Sequence, residues 1–150
     1  MNETNIEIIK GMLAPGIMIS ACGLLLLGMN NKYSLVVNRI RTLNSEFRDI
    51  NENDSEDRFE SIRAQLPLLI LRMKLIRNAV WLYTTAIAMF IFSIFSIGFY
   101  LIVGKSPLLT VLSLNLFFMA LMAVLWGVIH AAKEVRLGFD ILKIETKNIL

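Results

Sequence analysis

Residues 78–104 read NAVWLYTTAIAMFIFSIFSIGFYLIVG, 27 residues without an Asp, Glu, Lys or Arg. A helix advances about 1.5 Å per residue and a bilayer's hydrocarbon core is about 30 Å thick, so roughly 20 apolar residues suffice to cross it. Two further runs pass the same test: residues 11–31, GMLAPGIMISACGLLLLGMNN, and residues 106–132, SPLLTVLSLNLFFMALMAVLWGVIHAA. In the first, Pro15 and Gly16 predict an irregular start or a kink. The 150-residue chain is 56% hydrophobic and 18% charged, against about 45–50% and about 25% in soluble domains. That balance, with a mean hydropathy of +0.64, argues against a soluble enzyme, a disordered chain or a collagen. Cys22 is the only cysteine, so no disulfide scaffold is expected.

Orientation follows from the cations, because Lys and Arg beside a span resist translocation. Only Lys10 precedes the first run and only Lys105 separates the last two. Between the first and second lie Lys32, Arg39, Arg41, Arg48, Arg58, Arg63, Arg72, Lys74 and Arg77, and after the third Lys133, Arg136, Lys143 and Lys147. The expected topology has the N-terminus outside, the large loop inside and the C-terminus cytoplasmic. Tyr33, Trp81, Tyr83 and Trp126 then fall near the cytosolic ends of spans, and Tyr100 near an outer end, as interfacial aromatics do. The net charge of +3 is explained by cationic loops, and no nucleic acid is implied. Ile19–Cys22 has the form of a lipoprotein cleavage box, but Glu3 and Glu7 make the preceding segment acidic and the apolar run continues past Cys22. No processing is expected there.

The segment 32–77 carries two helical stripes, Val36, Ile40, Leu43, Phe47 and Ile50, then Phe59, Ile62, Leu66, Leu69, Met73 and Ile76. An acidic tip at 51–57 separates them, with Asp54 or Ser55 able to cap the second helix. This predicts a cytosolic helical hairpin over 32–77. Residues 133–150 predict a third, amphipathic cytosolic helix, with Val135, Phe139 and Leu142 on one line, Leu137, Ile141 and Ile144 on the next, and Arg136 and Asp140 opposite. Pro67, inside the hairpin, marks a kink or helix restart and a candidate hinge. The expectation is thus an all-α integral membrane protein, a single membrane domain over 1–150 with three transmembrane helices and long cytosolic helical extensions.

The spans hold no charge of the sort that marks proton relays or ion-coupled transport. Asn115 is expected to bond to a neighbouring helix, and His130 to sit at the boundary, bonded to backbone or headgroup. No nucleophile–base pair, phosphate loop or metal-ligand spacing stands out, and the acids of the tip lack an EF-hand pattern. No catalytic residue, cofactor or metal is expected. Gly16, Ser20, Gly23 and Leu27 make one smooth face of the first span, suited either to close helix packing or to a pore lining. Below it Asn30, Asn31, Lys32, Arg39 and Arg41 would contact anionic lipid headgroups, or ring the cytosolic mouth of a homo-oligomeric channel. The preferred reading is a self-associating, non-enzymatic structural or regulatory module whose partners are the lipid bilayer, copies of itself and a cytosolic protein. The alternative is an ion channel lined by the first span.

The run Gly23, Leu24, Leu25, Leu26, Leu27, Gly28, Met29, Asn30, Asn31, Lys32, followed by Asn38, Arg39, Ile40, Arg41, Thr42 and Leu43, resembles the signature of a bacterial membrane-protein family catalogued as domain of unknown function 2721. The resemblance extends over nearly the whole chain. It implies a bacterial inner-membrane location and three hydrophobic segments, and it brings no activity, cofactor or catalytic residue.

Overall fold

In a computed structural model the described residues, 3–49, 56–103 and 107–147, form three helices: α1 (Glu3–Asp49), α2 (Glu56–Val103) and α3 (Pro107–Lys147). All three are long and apolar enough to cross a membrane, so the chain is an all-helical, multi-pass membrane protein. Each helix is continuous where its apolar run meets its polar extension, and α1 and α2 are helical through Pro15 and Pro67. No restart occurs at Pro67, which is exposed. Residues 50–55, with Ile50, the middle of the acidic tip and its cap, lie outside the described residues, as do Lys105 and the side chains of Asp57, Asp140, Leu142 and Ile144.

Burial follows a seven-residue step. Pro15, Cys22, Met29, Val36 and Leu43 are buried on α1, and Ser113, Ala120, Gly127, Glu134 and Ile141 on α3. On α2 the buried positions step by threes and fours through Ile76, Ala79, Tyr83, Ala86, Phe90 and Ser93. Seven residues make about two turns of helix, so this step keeps one face of each helix turned inward.

The chain packs as two compact units. One consists of Met1–Leu27 and Val80–Gly127, nearly the three apolar runs. Its core is small: Cys22, Ala86, Phe90 and Ala120 are fully buried, and the Phe90 and Phe117 rings meet edge to face at 5.6 Å. Large apolar side chains point outward, Leu24 at 72% and Leu108 at 74% exposed. That inversion is the expected one in lipid, where burying a leucine gains little and small residues let backbones approach. Among the described glycines the closest approach is at Gly127, where a Cβ would stand 2.6 Å from Cε1 of Tyr83. Tyr83 is therefore a core residue, 1% exposed, and not the interfacial aromatic its position suggests; Trp81 and Trp126 are exposed. Ser93 Oγ donates to the Ser113 carbonyl of α3 at 2.9 Å. Asn115, by contrast, donates to Val111 of its own helix, which corrects the expectation of an interhelical bond.

The other unit, Gly28–Ala79 and Val128–Leu150, contains parts of the same helices. Met29, Val36 and Leu43 face inward from α1, Ile62, Gln65, Leu69, Ile76 and Ala79 from α2, and Glu134 and Ile141 from α3. The two stripes read from the sequence supply half of these residues: Val36, Leu43, Ile62, Leu69 and Ile76. Phe47 and Phe59, their outermost aromatics, are exposed yet stack on each other with centroids 5.0 Å apart. On α3 the inward line is the one through Ile141, and Val135 and Phe139 face outward.

Candidate functional site

The most unusual chemistry lies in the second unit, where one side chain from each helix meets at an ion cluster. Glu134 is 0% exposed, on the seven-residue step that elsewhere on α3 carries Ser113, Ala120, Gly127 and Ile141. A buried carboxylate costs several kcal/mol in desolvation unless it is paired. Two cations supply the pairing. Lys32 Nζ on α1 donates to Oε2 at 2.8 Å and Arg72 Nε on α2 donates to Oε1 at 2.6 Å. Lys32 and Arg72 stand three residues after the inward Met29 and Leu69, so the periodicity of each helix aims them at the seam. Gly138, one turn beyond Glu134, makes room for the guanidinium: a Cβ there would lie 3.2 Å from Cζ of Arg72.

Chemically the cluster fastens three helices. With each carboxylate oxygen accepting a charged hydrogen bond, Glu134 is committed to its partners and poorly placed to take a proton from a substrate. Among the described residues no group of three His, Cys, Asp or Glu side chains gathers to hold a metal.

The first unit has a cleft of about 270 Å³ lined by Gly11, Ala14, Pro15, Ser93, Ile97, Ser113, Leu114 and Phe117. Its walls are mainly apolar, and both serine hydroxyls spend their protons on carbonyls, Ser93 on that of Ser113 and Ser113 on that of Thr110. It presents no charged group.

The residues singled out from the sequence fall in different places. Gly16 is half-buried and Ser20, Gly23 and Leu27 are exposed; a Cβ at Gly16 or Gly23 would meet nothing within 4 Å. Among the described residues no neighbour covers Ser20, Gly23 or Leu27 of that smooth face. Asn30, Asn31, Arg39 and Arg41 are exposed. Lys32, grouped with them in the sequence, instead turns to Glu134. Sequence reasoning missed Glu134 and Arg72. The available signal was a single acid on the seven-residue step 120, 127, 134, 141, with opposite charges three residues past core positions on the other two helices.

A family described as protein of unknown function (DUF2721) matches residues 12–144. No curated protein and no solved structure matches the chain.

Proposed function

The chain belongs to the DUF2721 family of proteins of unknown function, and from that premise we propose that it is a non-enzymatic inner-membrane protein that self-associates and acts as a structural or regulatory module through its cytosolic helices. The sidedness in this reading, N-terminus outside and C-terminus cytoplasmic, rests on the Lys and Arg distribution. The observation that carries the module reading is the ion cluster. A buried carboxylate claimed by cations from two other helices holds three segments as one body just beyond the apolar runs, as a scaffold requires. Self-association is supported by the smooth face of α1, since glycines open to their surroundings let a second helix approach closely.

The test is the subunit count of the full chain in lipid nanodiscs. Assemblies of two or more copies that dissociate on Gly16→Leu with Gly23→Leu support the reading, and a monomer at all concentrations overturns it. A pore is the second reading, favoured by the exposure of Arg39 and Arg41 on the same helix as the open face. It requires unitary currents in planar bilayers whose ion selectivity shifts on Arg39→Gln, and electrically silent preparations rule it out.

A further inference from the structure

The two cations of the cluster can donate more hydrogen bonds than Glu134 accepts. Arg72 reaches the carboxylate through Nε, while Nη1 and Nη2 carry the other four of the five guanidinium N–H donors. Lys32 uses one of its three donors. The side chains of Lys32 and Arg72 are 39% and 28% exposed while that of Glu134 is sealed, so the open side of the cluster is the side of its cations. Two cations and one carboxylate leave a net charge of 2 − 1 = +1.

The depth of the cluster narrows the ligand. Lys32 directly follows the charge-free run 11–31, Glu134 is the second residue after 106–132, and Arg72 is the sixth before 78–104. At about 1.5 Å per residue all three lie within about 9 Å of the end of an apolar run. Headgroup layers add about 5–8 Å to each side of the hydrocarbon core, so Lys32 and Glu134 fall at the depth of lipid phosphates and Arg72, which bonds to Glu134, at the outer margin of that layer.

We propose that Arg72 and Lys32 bind a phosphate-bearing anion, either the phosphodiester of an anionic phospholipid or free phosphate. The planar Nη1/Nη2 edge matches two phosphate oxygens in a way a point charge does not. Glu134 takes Nε and thereby orients the fork, and Gly138 lets the guanidinium lie against α3. The site goes beyond the self-association reading and does not require it.

Native mass spectrometry of the full chain, released from neutral detergent with phosphatidylglycerol, tests the site. Arg72→Lys keeps a cation beside Glu134 and removes the fork; Gly138→Leu keeps all three charges and displaces the guanidinium. Each is expected to weaken phosphatidylglycerol retention about tenfold, the equivalent of one bidentate contact. Millimolar inorganic phosphate that strips the lipid from the wild type assigns the site to the free anion, and lipid that stays bound assigns it to the headgroup; either outcome supports the site. Equal retention by the wild type and both variants overturns it, as does the binding of neither probe. The same spectra give the subunit count, so failure of self-association is read separately.

Discussion

Glu134→Gln tests the physical core of the structure, because it removes one charge and almost no volume. In the wild type the carboxylate is fully buried and receives two charged hydrogen bonds, of 2.8 and 2.6 Å. A bond to a charged group contributes about 1.5–3 kcal/mol, so the pair has a nominal value of about 3–6 kcal/mol. The net loss is smaller. Both cations are partly exposed and regain water when Glu134 is neutralised, and the glutamine carbonyl still accepts one bond. We expect about 1–2 kcal/mol. Arg72→Leu should cost more, about 2–4 kcal/mol, although it removes only one bond, because it leaves a sealed carboxylate with a single, more exposed partner. Adding Glu134→Leu to Arg72→Leu should then recover stability, since no buried charge remains to be compensated. Unfolding in graded SDS, followed by the fluorescence of Trp81 and Trp126, measures all three. A double variant no more stable than Arg72→Leu, or an Arg72→Leu loss below about 0.5 kcal/mol, would refute the argument that burial of Glu134 makes the cluster matter.

Other expectations follow from packing and sidedness. Gly127→Ala should destabilise by about 1–3 kcal/mol, because the new methyl would stand 2.6 Å from a fully buried ring, and the cost should shrink in a Tyr83→Leu background; Gly23→Ala, with nothing within 4 Å, should leave the unfolding midpoint of the single chain unchanged. Cys22, fully buried, should resist maleimide in the folded protein and react once SDS unfolds it. In a Cys22→Ala background, a membrane-impermeant maleimide added to intact spheroplasts should label Lys105→Cys and spare Asp54→Cys; the reverse pattern would invert the topology.

The three spans were legible because a charged side chain in hydrocarbon is costly whatever its neighbours do. The stripes of 32–77 were legible in outline because, where apolar and polar residues alternate at helical spacing, the hydrophobic effect sorts them by face. Val36, Leu43, Ile62, Leu69 and Ile76 occur in the stripes and are buried. The inward faces of the spans were not legible from hydrophobicity, since nearly every position there is apolar and lipid solvates a leucine as well as a neighbouring helix does. Small size marks much of the inside, where Cys22, Ala86, Ser93, Ser113, Ala120 and Gly127 are buried while Leu24, Phe92 and Met122 are not, and the large Tyr83 and Phe90 fill the space beside them. The same reasoning explains Asn115. In hydrocarbon its amide needs an acceptor at once, and the carbonyl of Val111, one turn back on α3, is always within reach, whereas an interhelical partner requires a neighbour at the right register.

Glu134 shows why charge had to be read by position. Counted by sign it is one acid among the cations that follow the third span, and it drops out of any tally of Lys and Arg. Counted by register it is the only acid on a line of small and apolar residues, and a charge in a core position is retained at a cost in desolvation that only specific partners offset. Lys32 and Arg72 are then the partners that the registers of α1 and α2 offer, each three residues past a core position. The cluster also sets the helices in register, because sliding any one of them by a turn would part an ion pair and strand the carboxylate without water. A seam built only of Val, Leu and Ile would tolerate that slip far more readily.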